Sequence, residues 1–101
     1  MLYDYNKLEM QRTQRVNELQ EKVNQLQNYM FKNTYELNLK INVLLGNHCC
    51  FQKTKNNSDY YIVEAILIDD DFFEYRIICE YAKLKKHFIV INMRVEKCWE
   101  K

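Results

Sequence analysis

The chain contains no proline and one glycine, Gly46. Phosphate cradles need glycines where the backbone approaches the ligand closely, so neither a P-loop nor a G-x-G-x-x-G turn can be built here. Arginine is confined to Arg12, Arg15, Arg76 and Arg94, and the formal net charge is +1, so there is no global pull toward nucleic acid or an anionic membrane. No apolar run approaches the ~20 residues of a membrane span. MLYDYNKLEMQR shows no basic region followed by an apolar stretch, so neither a signal peptide nor a membrane partner is expected and the location reads as cytoplasmic.

Cys49, Cys50, Cys79 and Cys98 are therefore expected to be reduced. They form no C-x₂-C pair, and adjacent Cys49 and Cys50 aim poorly at one tetrahedral ion, so no metal and no cofactor are expected. A Cys49 or Cys50 nucleophile with His87 as base lacks any pattern that fixes its geometry. Asp69, Asp70 and Asp71 read as a solvated turn rather than a cation site. No catalytic residue is nominated, and the chain is not expected to be an enzyme.

What is present is 101 residues, 48% hydrophobic and 29% charged, enough for one domain over residues 1–101. The fold expected is α+β: one long N-terminal amphipathic helix packed on a four-stranded antiparallel β-meander. A helix over 6–32 follows from the Asn6/Glu9 capping-box spacing and the stripe Leu8, Val16, Leu19, Val23, Leu26 and Met30, with Asn33 as its stop. Tyr35, Leu37, Leu39, Ile41, Val43 and Leu45 alternate with polar residues and predict the first strand over 34–45, with Leu39 inward. A long loop over 46–59 and strands over 60–68, 72–82 and 87–96 follow, joined as hairpins.

Charge complementarity selects a register that sets Glu64 opposite Arg76 and Ile78 opposite both Ile62 and Val90. The third hairpin strand is expected to turn Ile89, Ile91, Met93 and Val95 inward. The outer face then carries an apolar patch of Tyr60, Ile62, Ile78, Phe88 and Val90, expected to bind a partner. Lys53, Lys55, Lys83, Lys85, Lys86, His48 and His87, with the helix N-terminus, gather at one end as an anion- or partner-binding site. Asp69–Asp71 lie at the other.

Asn, Lys, Ile, Tyr and Phe number 43, against 7 for Gly, Ala, Arg and Pro, which is the signature of AT-rich codons. The function expected is non-catalytic protein binding, in the form of a phage or mobile-element inhibitor of a host enzyme such as a nucleic-acid-directed defence nuclease. The alternatives are a nucleic-acid-binding accessory protein, using the lysines with Phe51, Tyr60, Tyr61 and Phe88 for phosphate contacts and stacking, and an oligomeric assembly subunit, with homodimers formed through helix or sheet.

Overall fold

A computed structural model describes residues 5–46, 49, 51–56 and 59–98; at residues 5 and 53–56 the backbone alone is described. The elements are α1 (Tyr5–Asn24), β1 (Met30–Phe31), α2 (Thr34–Leu45), β2 (Gln52–Asn56), β3 (Tyr60–Ile68), β4 (Glu74–Leu84) and β5 (His87–Lys97). β2 to β5 form an antiparallel meander, to which β1 adds two residues, giving the order β1-β5-β4-β3-β2. The class is α+β, with the N-terminal helix packed on the sheet: Leu19, Val23 and Leu26 share one core with Val63, Ile77, Val90 and Val95.

The helix is shorter than expected. Its last turn tightens into i→i−3 bonds at Gln25, Leu26 and Gln27, and Asn28 turns left-handed at φ 66°, which asparagine tolerates. Met30 thereby leaves the helix stripe and enters the sheet edge.

The segment expected to be the first strand is a helix, α2. Asn33 is its N-cap rather than a stop: Asn33 Oδ1 accepts from Glu36 N–H at 3.0 Å, while Glu36 Oε2 accepts from Lys32 N–H. Gly46, left-handed at φ 66°, closes the other end by donating its N–H to Asn42 O at 2.9 Å. Leu37, Ile41 and Leu45 recur every four residues, which satisfies a strand's period of two and a helix's i,i+4 spacing at once. The helix buries those three and leaves Tyr35, Leu39 and Val43 exposed.

The loop expected over 46–59 contains β2, which pairs with β3 from Gln52↔Glu64 to Asn56↔Tyr61 with a bulge between Lys53 and Lys55. Both expected hairpin registers are also corrected. β3 and β4 pair Ile68↔Glu74 and Glu64↔Ile78, because Asp69 builds a longer turn than the sequence suggests. Its Oδ1 accepts from the N–H groups of Asp71 and Phe73, and its Oδ2 from the Tyr75 hydroxyl. β4 and β5 close with a two-residue turn, Leu84↔His87, and shift register between Glu80 and Tyr81. Val90 then pairs with Tyr81 and Asn92 with Glu80, so Ile91 is the extra residue of a bulge.

α1 does more than cover the inner face. Cys98 N–H donates to Glu74 O, so by alternation Met93 and Val95 turn their backbone groups away from β4. Gln20 meets them there: its Nε2 donates to Met93 O at 2.9 Å and its Oε1 accepts from Val95 N–H at 2.8 Å. Gln27 donates to Ile91 O, Arg12 to Cys98 O at 2.8 Å, and Asn28 and Tyr29 bond the backbone of Val90. Side chains of α1, with the turn that follows it, thus do for β5 what a neighbouring strand would do, and they close that edge to other chains. Gln20→Ala is expected to lower stability by about 1–3 kcal/mol, from the two hydrogen bonds lost at the edge of β5 and an exposed one lost to Asn24 Oδ1. A thermal melt checks the loss, and light scattering should show the variant associating as the edge opens.

Candidate partner-binding surface

Inner and outer faces of the sheet differ in what covers them. The inner face holds the core and an aromatic cluster in which Phe88 lies 5.5 Å from Phe31 and Tyr61 5.0 Å from Tyr81. Among the described residues, no helix packs over the outer face.

Two nominated patch residues are not on that face. Val90 is 0% exposed and Phe88 packs against the same core, so both are corrected to the inside. Phe88 to Ile91 are four apolar residues in a row, so alternation cannot be read through them, and the bulge at Ile91 decides the side. Tyr60 and Ile62 remain outside. Ile78 is on the outer face but only 3% exposed. Its register neighbours are Glu64 and Arg94, and Arg76 and Glu80 flank it on its own strand. These close around it: Arg76 reaches Glu64 at 3.9 Å and Glu96 at 3.8 Å, while Arg94 reaches Glu80 at 2.8 Å and Glu96 at 3.5 Å. The apolar stems of such side chains can cover an isoleucine while their heads stay wet. The expected Glu64–Arg76 pair thus forms along a diagonal, while Arg76 faces Glu96 directly across the β4–β5 ladder and Arg94 pairs with Glu80 and Glu96.

The patch that the outer face does present is a row of different composition. Tyr60 pairs with Ala82, Ala82 with Ile89 and Ile89 with Met30, one apolar line across four strands. Leu84 lies beyond the row toward the hairpin tip and Ile91 on its other side; both are exposed, as is Met30. Tyr60 donates its hydroxyl to Glu80 Oε2 at 2.6 Å. That bond, then burial, then the Glu80 charge push the phenol pKa up; the same bond and Arg94 hold the Glu80 carboxyl below its usual range. No helix, nominated residue pair or motif revealed the Ala82, Ile89 and Met30 members. Finding them needs the register, and no short-range signal carries it.

Lys83, Lys85 and Lys86 are exposed at the β4–β5 turn, His87 is half-buried beside them, and Lys85 is left-handed at φ 56°. Lys53 and Lys55 lie on β2, whose run toward Asn56 brings it to the same end as Tyr60. His48 and Cys50 are outside the described residues. The helix N-terminus is corrected to the opposite end. Because the segment after β1 is a helix, the up-and-down count changes by one, and the first half of α1 lies beside Asp69–Asp71. A groove of about 590 Å³ separates the two. Four of its six charged side chains are engaged: Arg12 bonds Cys98 O and stacks over Phe73 at 4.9 Å, Arg15 pairs with Glu18, and Asp69 serves its own turn.

The three described thiols are buried or half-buried. Burial pushes Cys79 up to about 12 and raises Cys98, and buried Cys49 meets Asn42 Oδ1 through its N–H at 2.7 Å. Among the described residues no three His, Cys, Asp or Glu side chains converge as a metal site, and no helix is long and apolar enough to cross a membrane. No family model, curated protein or solved structure matches the chain.

Proposed function

We propose that the chain is a non-catalytic protein-binding module, which presents the basic end of its outer sheet face to one partner protein. The observation that carries this is the apolar line Tyr60–Ala82–Ile89–Met30, extended by Leu84, with the turn lysines Lys85 and Lys86 at its end. Its chemistry suits a partner surface of apolar side chains bordered by carboxylates, the lysines acting mainly on encounter. AT-rich composition favours a phage or mobile-element setting, with a host enzyme such as a defence nuclease as the partner. Nucleic-acid binding is less well served. Of the four aromatics nominated for stacking, Tyr61 and Phe88 pack in the core cluster, Phe51 is half-buried against it, and the Tyr60 hydroxyl is engaged by Glu80.

The test is Met30→Glu with Leu84→Glu. Circular dichroism is expected to be unchanged, since both side chains are half exposed. Capture of a specific protein from a low-GC bacterial lysate is expected with the wild type and lost with the double variant. Capture of the same protein by both would move the site elsewhere. Tight binding of short DNA that weakens steeply with salt would favour the nucleic-acid reading instead.

A further inference from the structure

The two long edges of the sheet are treated differently. β5 is closed by α1, whereas β2 covers β3 only from Tyr61 to Glu64. Beyond Gln52, no described residue pairs with Ala65–Ile68 on that side. Asp69 N–H donates to Phe73 O, and at the other end of the same ladder Lys83 N–H donates to Asp59 O. Both bonds place the odd-numbered residues of β3 in hydrogen-bonded pairs with β4, so Ala65 and Leu67 face β4. Ile66 and Ile68 therefore turn their N–H and C=O groups toward the open side. Their side chains are exposed as well.

We infer that this open edge of β3 is a second docking site, which takes by strand addition an extended segment of another protein that alternates apolar with basic side chains. Strand addition supplies backbone hydrogen bonds, and the flanking side chains supply selectivity. The flank here is acidic at its far end, where Asp70, Asp71 and Glu74 are exposed, while Glu64 at its start is paired with Arg76. The nearest cation by register, Arg76, already reaches Glu64 and Glu96. Phe72 adds an apolar contact point. It is 80% exposed and held left-handed at φ 66°, a conformation that costs a bulky residue about 1–2 kcal/mol and so persists because the turn imposes it. A second copy is the wrong occupant. Antiparallel self-pairing of Ile66 with Ile68 would set Asp70 of one chain opposite Glu64 of the other, in the lane that Gln52 fills. The site uses residues other than those of the outer-face row and lies nearer the opposite end, so either can fail alone.

The probe is a capped synthetic peptide of alternating lysine and valine, with a glutamate–valine peptide of equal length as control, added to the isotopically labelled full chain. In the free chain the amides of Ile66 and Ile68 are expected to exchange fast. The lysine–valine peptide is expected to slow both by about tenfold or more, leaving Leu67 unchanged, and the glutamate–valine peptide to do nothing. Ile66→Pro removes an N–H that the β3–β4 ladder does not use, so it is expected to fold and to lose the effect. If it does not fold, Ile68→Lys with Asp71→Lys serves in its place, with the same loss expected. Equal protection by both peptides, no protection, or protection that grows with protein concentration in the absence of peptide would each overturn the assignment; the last would make a second copy the occupant.

Discussion

Ile41→Asp is expected to unfold the protein, while Leu39→Asp leaves it folded. The two positions are two residues apart, and on a strand they would share a face and behave alike. On α2 they diverge: Ile41 is 0% exposed and sits in the core with Leu19, Phe31 and Leu37, whereas Leu39 is 52% exposed. Replacing Ile41 removes a buried side chain of about 1.5–3 kcal/mol and puts in its place a carboxylate with no partner. The sum reaches ~4 kcal/mol or more, most of the stability of a marginal domain of this size. At Leu39 the loss is partial burial and a few tenths of helix propensity, about 1 kcal/mol in all. Thermal melts of the two variants decide the matter. Equal collapse of both would return residues 34–45 to a strand.

That pair of residues also shows what the sequence could and could not convey. The hairpin strands were legible because each alternates apolar with polar residues over most of its length: Val63, Ala65 and Leu67, then Tyr75, Ile77, Cys79 and Tyr81, are inside as alternation requires. The α1 stripe was legible for the same reason at helical spacing. Residues 34–45 were not, because apolar residues at every second position contain a set at every fourth. Which set is buried depends on the caps, and these were in view: Asn33 with Glu36 three residues on, and Gly46 just past the end. Reading Asn33 as the end of one helix concealed it as the start of the next. Register was not legible at all. It depends on the Asp69 carboxylate gathering two N–H groups and a tyrosine hydroxyl, and on a two-residue turn at Lys85 and Lys86, neither of which is fixed by charge pairs along the strands. An error of two residues there carried no change of face in β4. The bulge in β5 did carry one, and with it went Phe88 and Val90.

Val90→Asp is accordingly expected to be the second lethal change, and Ile91→Asp a mild one. Val90 has no exposed surface, pairs with Tyr81, and exchanges both backbone hydrogen bonds with Asn28 and Tyr29, so its side chain cannot swing outward without breaking the junction between α1 and the sheet. A carboxylate at that position would be buried beside the aromatic cluster, at a cost of ~4 kcal/mol or more. Ile91 is the bulged residue and is exposed, so aspartate there keeps its water and costs about 1 kcal/mol. Denaturant titration of both variants separates the cases. If Ile91→Asp unfolds the chain and Val90→Asp does not, the bulge is misplaced and Val90 returns to the outer face. The row Tyr60–Ala82–Ile89–Met30 would then be broken, because Ile89 would turn inward with Ile91. The opposite outcome leaves that row as the apolar surface of the basic end, and Ile91→Asp becomes a third probe of partner binding beside Met30→Glu and Leu84→Glu.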